Sequence, residues 1–243
     1  MSKHKNDNLV TCYLTILFSN DNLIVWQGCY IGGVSIPTTT FSNLTDEKKN
    51  RIIDAAVNEL SIASFEHIKL SNIIKEAKIP RGSFYQYFED KMDLYKYVML
   101  KIGEKKVEYL SDKMKNDQNL PFLDLFRELY ISGIRFAVEN PKYIRITELL
   151  LSSKGQVYDE LMGRNLSLAF DYFKAYILKD IELGLISSDV DVDTLCELVI
   201  DITTNITNRQ LRETGEIDMG AMLHKVDSII TIFKKGITGE QHV

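Results

Sequence analysis

Arg81, Ser83, Tyr85, Gln86 and Tyr87 fall within seven residues of one another and carry a guanidinium, a hydroxyl, an amide and two phenols. Phe84 and Phe88 stand four apart among them, so a short helix here can turn both rings inward and leave the polar set largely outward. Cations, hydroxyls, amides and flat rings on one exposed edge can bond phosphate oxygens and the base edges of a DNA major groove.

The surrounding sequence positions that helix. Leu70, Ile73, Ile74 and Ala77 recur at helical spacing and predict a preceding helix with one apolar face. Lys78, Ile79 and Pro80 break the period, and Pro80, with no N–H and a preset φ, suits the first turn of a new helix. Upstream, Thr45 is a good N-cap with Asp46 and Glu47 behind it. The helix it opens runs to about Ser61, with Ile52, Ile53, Ala56, Val57 and Leu60 as its buried stripe. Ser64 to Ile68 connects it to the next helix, and the single His67 in that connector reads as structural or surface-exposed. Lys48, Lys49 and Arg51 lie near the start of that helix, within reach of phosphate or of solvent. Downstream, Asp90 can cap a further helix, with Asp93 at its third position and Leu94, Val98 and Ile102 inward, running to about Lys115.

Arg81-Gly82-Ser83-Phe84-Tyr85-Gln86-Tyr87-Phe88, followed by Lys91 and Leu94, resembles the helix-turn-helix signature of TetR-family transcriptional regulators. Ile73, Ala77, Ile79, Gly82, Tyr85, Phe88, Lys91 and Leu94 fit the family pattern. Ile74 replaces a small residue, Lys78 the turn glycine, Pro80 a serine and Tyr87 a histidine. Lys78 must therefore adopt a conformation that glycine reaches more cheaply. The motif covers about residues 44–101. It implies that Arg81 contacts bases with Ser83 and Gln86 assisting, that Tyr85, Tyr87, Lys91 and Lys69 hold phosphates, that Ser71 meets the backbone where the second helix begins, and that Gly82 lets the main chain approach DNA.

The net charge of −5 divides unevenly. Residues 44–106 carry 12 basic and 10 acidic side chains, whereas 107–243 carry 15 and 22, so positive charge gathers where DNA contact needs it. Cys12, Cys29 and Cys196 cannot all pair and lack metal spacing, which fits a reducing cytoplasm. The four histidines are scattered. No apolar run reaches the roughly 18 residues of a membrane helix. Asp189, Asp191 and Asp193 alternate like a calcium loop, but Thr194 and Ile200 stand where Gly and Glu are required. No metal or cofactor is expected, and without a catalytic motif the chain does not read as an enzyme. Cys196 lies on an apolar stripe and reads as core.

Helical periodicity continues from Pro121 to the 230s, giving seven or more helices and an all-α body after residue 44. Helices are expected from Pro121 to just before Asn140, from Pro141 (capped by Asn140) to about Leu151, from Gln156 to Leu183 with Gly184 as its stop, from Asp191 through Ile206, and from Asp218 to about Lys235. Residues 1–36 hold two apolar runs, Leu9–Phe18 and Leu23–Ile31, a β-hairpin pattern. The first run follows Lys3, His4 and Lys5 in the manner of a signal peptide, but no A-x-A-type site follows. The segment is expected to be an extension without a role in DNA reading, translated from a mis-assigned start. The expected division is an N-terminal extension (1–43), a DNA-binding domain (44–92), a helical ligand-binding and dimerisation domain (93–237) and a tail (238–243).

The resemblance implies a cytoplasmic homodimer, paired through its last two helices on a palindromic operator in double-stranded DNA. In most of the family such a protein is a repressor released by a small-molecule inducer. It also implies a pocket in which Phe126, Tyr130, Tyr143, Phe170, Phe173 and Tyr176 face an apolar or aromatic ligand; filling a core is the plain alternative. The other functional reading is a TetR-like DNA-binding protein that regulates a protein partner rather than promoters.

Overall fold

The computed structural model describes residues 37–116, 119–153, 156–159, 164–202 and 218–237. Among them every regular element is a helix and no strand occurs, so the chain is all-α. The hairpin pattern of residues 1–36, Cys12, Cys29, Ile206, the Thr214-Gly215 turn and the tail from 238 lie outside the described residues. The described residues group into two compact units, one within 26–105 and 140–164, the other within 106–139 and 165–243.

The first unit begins with a short helix α1 (Thr39–Ser42) and the longer α2 (Asp46–Leu60). The Thr45 hydroxyl accepts from the Lys48 N–H at 3.4 Å, as a helix N-cap should. Ile52, Ala55, Ala56 and Leu60 give α2 its buried stripe. A 3-10 turn (Phe65–His67) leads into α3 (Leu70–Glu76), whose N-cap Lys69 has no capping side chain. Glu59 on α2 does that work from a distance: its carboxylate accepts from the Lys69 N–H (2.8 Å) and from the Asn72 amide (2.9 Å). The bonds fix α3 on α2 and satisfy one of the donors that a helix start leaves open.

At its other end α3 closes with two backbone bonds, Ile79 N–H to the Ile74 carbonyl and Lys78 N–H to the Lys75 carbonyl, both 3.2 Å. This is the Schellman arrangement, and it puts Lys78 at φ +52°. Pro80 then stands as N-cap of α4 (Arg81–Tyr87), one residue before the helix rather than inside its first turn. Phe84 and Phe88 are buried, and with Phe41 and Tyr97 they form a group of edge-on and tilted rings at 5.0–6.0 Å.

After α4, Asp90 and Asp93 cap reciprocally. The Asp93 N–H donates to Asp90 Oδ1 (2.9 Å) and the Glu89 N–H to Asp93 Oδ2 (3.0 Å). The following helix α5 (Lys91–Glu108) buries Leu94, Tyr95, Val98, Met99 and Ile102. It ends sooner than the periodicity predicts. The Tyr109 and Leu110 N–H groups bond three residues back, tightening the last turn, and the Ser111 hydroxyl then caps α6 (Asp112–Asn116) at the Met114 N–H. The helix α8 (Pro141–Ser152), with the short α9 (Gln156–Tyr158) behind it, packs on α2 in this same unit. Lys142 Nζ donates to Asn58 Oδ1 at 2.6 Å, and Asn58 in turn donates to Glu76 on α3.

The second unit is built on α6, α7 (Phe122–Glu139), α10 (Arg164–Glu182), α11 (helical over 192–202) and α12 (Met219–Ile237). Met222, Val226, Ile229, Ile230 and Phe233 of α12 share a core with Phe122, Phe126 and Leu129 of α7. Arg127 joins Asp227 at 2.8 Å along the edge of that contact. The Asp180 carboxylate of α10 accepts from the Phe122 N–H (2.7 Å), the first donor of α7. α10 ends in a second Schellman motif, and here Gly184 occupies the left-handed position at φ +72°. Asp191 caps α11 at the Thr194 N–H (2.7 Å), which accounts for one of the alternating aspartates; Asp193 pairs with Lys174.

The two Schellman turns differ in the residue at their strained position. A lysine in the left-handed region costs on the order of 1 kcal/mol more than glycine. Lys78→Gly is therefore expected to stabilise the protein by about that amount. The check is a higher urea midpoint with an unchanged m-value.

Candidate nucleic-acid interface

α4 has only seven residues, too few to persist alone in water. Two of them, Phe84 and Tyr87, set its inner face together with Phe88 at the C-cap, spaced i, i+3 and i+4. Its C-terminal end is fastened by the segment before residue 44. The Thr38 hydroxyl donates to the Gln86 carbonyl (2.7 Å), the Thr38 N–H donates to the Tyr87 carbonyl (3.2 Å), and Phe41 sits wholly buried against Tyr87 and Phe88. Sequence reasoning assigned Thr38 and Phe41 to the extension. The signal available was a buried-type aromatic just ahead of a good N-cap.

With that face inward, Arg81, Gly82, Tyr85 and Gln86 are exposed and Ser83 is half-buried. Tyr85 is 51 % exposed, its ring edge-on to Phe84 at 5.3 Å. Lys69 and Ser71, at the start of α3, are also exposed. A Cβ built on Gly82 meets no atom within 4 Å and the residue has ordinary helical φ, so nothing inside the protein demands glycine there.

Tyr87 corrects the sequence reading. Expected outward, it is 3 % exposed, with its ring edge-on to Phe41 at 5.9 Å. The reason is helical geometry: residue 87 follows 84 by three positions, about 60° to one side of it, as 88 falls about 40° to the other, so it shares their buried side. Lys48 covers the same ring, with its ammonium 5.6 Å from the centroid. Lys91 is half-buried, and its Nζ donates to the Phe65 carbonyl (2.9 Å) while lying 4.3 Å from the Phe65 ring centroid. One of its three donors thus ties the start of α5 to the turn that opens α3. Arg51 is likewise engaged, its Nε donating to the Ala77 carbonyl at 2.9 Å.

Of the six aromatic residues expected around a ligand, Phe126, Tyr130 and Phe173 are buried in the core of the second unit, and Phe170 and Tyr176 pack against it. Tyr143 is half-buried on α8, in the other unit. Phe122, Tyr172 and Phe233 join the five without having been singled out as lining. Burial, and then the neighbouring Tyr176, push the Tyr172 phenol well above its ordinary range. Cys196 is fully buried, and burial pushes its thiol up to about 11, so it stays protonated at neutral pH and packs as an apolar group. Among the described residues no three His, Cys, Asp or Glu side chains come together as metal ligands, and no helix is long and apolar enough to cross a membrane.

A pair of short helices joined by a tight turn, the second offering an arginine, a tyrosine and an amide to solvent, defines a helix-turn-helix DNA-binding protein. Residues 52–98 match the family model described as bacterial regulatory proteins, tetR family. That stretch of the chain is a TetR-type DNA-binding module of the kind found in transcriptional regulators. It is 23 % identical over 187 residues to an uncharacterized HTH-type transcriptional regulator, YdgC, of Bacillus subtilis (strain 168), covering 76 % of this chain and 91 % of that one. A TetR family transcriptional regulator from Chloroflexus aurantiacus J-10-FL superposes with a TM-score of 0.64 at 26 % identity, over 84 % of this chain and 99 % of that one. The transcriptional regulator FadR from Bacillus subtilis, solved in complex with stearoyl-CoA, superposes with a TM-score of 0.62 at 18 % identity, over 74 % and 96 %.

Gly82 supplies a test of close backbone approach. Gly82→Ala should leave the fold intact and firm up α4 by about 0.5 kcal/mol, since alanine is the better helix former. Its affinity for duplex DNA should nevertheless fall, measured by fluorescence anisotropy beside a thermal melt of the same sample.

Proposed function

We propose that the protein is a cytoplasmic repressor that binds a palindromic operator as a homodimer and leaves it when a small molecule binds the helical body. The observation that carries this reading is the exposed polar edge of α4, held outward by the burial of Phe84, Tyr87 and Phe88. Arg81 is the base-reading residue, assisted by Ser83 and Gln86, with Tyr85, Lys69, Ser71 and the remaining donors of Lys91 on phosphates. Tyr87 supports the helix from within. Residues 44–92, with Thr38 and Phe41 behind them, make up the reading domain, and 93–237 the domain for ligand and partner copy.

One reading helix spans too few base pairs for useful specificity. Two-fold symmetry offers two helices to half-sites about 34 Å apart. Ile232 on α12, 67 % exposed, and Leu198 on α11 support pairing through the last two helices. The apolar and aromatic residues of α7 and α10 suit a largely apolar inducer. Because the similar FadR was solved with stearoyl-CoA, a long-chain acyl-CoA is the first compound to try.

Footprinting on the DNA upstream of the protein's own gene, with and without cell extract, tests the whole reading: a symmetric protected site, lost with extract, is expected. On that site Arg81→Ala should cost about 1–3 kcal/mol and relax preference at the contacted base pair. An unchanged preference removes Arg81 from the reading role. Ile232→Glu should yield monomers in sedimentation analysis, and a dimer that persists would place the interface elsewhere.

A further inference from the structure

We propose that Lys75 and Lys78, neither of them in the signature of the family, form a second phosphate-binding edge beside the reading helix. The proposal rests on the DNA-binding reading of α4. Ser71, Lys75 and Lys78 follow one another at spacings of four and three, so they share one edge of α3 and its terminal turn; all three are exposed. Arg81, also exposed, comes three residues later. The opposite side of this segment is taken up by Ile73, Ala77 and Ile79, which are buried.

Two observations set these lysines apart from ordinary surface charge. The first is how the cations are used. Of the lysines and arginines from 44 to 106, only Lys69, Lys75, Lys78 and Arg81 have side chains with no partner among the described residues. Lys49 pairs with Asp46, Arg51 holds the Ala77 carbonyl, Lys91 the Phe65 carbonyl and Lys101 Glu104, while Lys48 lies over Tyr87. The four unneutralised charges fall within residues 69–81, which contain one acid, Glu76, and its carboxylate is bonded by Asn58.

The second observation is the backbone. Lys78 holds the left-handed conformation (φ +52°) at the position of a Schellman turn where the same chain uses Gly184. A lysine at this position costs folding stability, and among the described residues its exposed side chain makes no hydrogen bond or ion pair that could offset the cost. A phosphate outside the protein would supply the missing partner, and a flexible ammonium suits that task without reading sequence.

The test measures binding of the full-length protein to a mixed-sequence duplex of about three helical turns over a range of salt concentrations. Four variants enter: Lys78→Gly, Lys78→Arg, Lys75→Gln and, as a charge control outside this segment, Lys115→Gln. Lys78→Gly relaxes the backbone while removing the charge, so misfolding cannot mimic the expected result. Lys78→Gly and Lys75→Gln should each bind several-fold more weakly on every duplex sequence, with the log–log salt slope reduced by about 1 for each chain bound. Lys78→Arg and Lys115→Gln should keep the slope of the unmodified protein. A folded Lys78→Gly with an unchanged slope overturns the proposal. If Arg81→Ala weakens binding while Lys75→Gln and Lys78→Gly do not, only this inference fails. If the unmodified protein ignores the duplex at low salt, it falls together with the reading of α4.

Discussion

The burial of Phe84 and Phe88 against Phe41 and Tyr97 is the contact on which the DNA-reading helix depends. A helix of seven residues gains too little from its own hydrogen bonds to form, so packing must supply its stability. Each fully buried ring contributes roughly 1.5–3 kcal/mol relative to exposure. The same burial fixes rotation about the axis. Once Phe84, Tyr87 and Phe88 point inward, Gly82, Tyr85 and Gln86 must point out, while Arg81 is exposed at the open first turn. Stability and function are thus two sides of a single helix, and the polar side has no freedom to turn without unseating the aromatic one.

The pieces around α4 hold its ends rather than its middle. Thr38 bonds the carbonyls of Gln86 and Tyr87, Asp90 and Asp93 cap the chain as it leaves, and Lys91 reaches back to Phe65. Glu59 sets the start of α3 in the same manner. Four of these devices use charged side chains, which divides the ionic groups of this segment into two kinds. The cations that build the scaffold are spent on internal partners, and those left over stand between residues 69 and 81. The net charge of −5 hides this, because what matters to a polyanion is unneutralised charge at one edge.

Much of the helical framework was legible in the sequence because its signals are local. Thr45 caps α2, Asp90 and Asp93 cap α5, Gly184 stops α10 and Asp191 opens α11, each as residue chemistry dictates. The strain at Lys78 followed from lysine standing where a turn needs glycine. What escaped was tertiary. Tyr87 reads as polar and outward from its hydroxyl, although at i+3 from Phe84 it flanks the core phenylalanines and is buried. The fastening of α4 by Thr38 spans 48 residues, and no local pattern announces it. The packing of α8 on α2, with Lys142 on Asn58, is likewise a contact between distant segments. Of the aromatics expected around a ligand, the five on α7 and α10 share one core because helical periodicity puts them on inner faces. Tyr143 belongs with the other unit for reasons only the fold discloses.

Hydroxyl-radical labelling of Tyr85 and Tyr87, in the free protein and in the presence of the protein's own upstream DNA, probes the two sides of α4 at once. If the helix reads DNA from its exposed edge, Tyr85 reacts readily in the free protein and is shielded when DNA is added, while Tyr87 stays unreactive throughout. A Tyr85 that resists labelling in the free protein, or that labels equally with and without bound DNA, would contradict the arrangement.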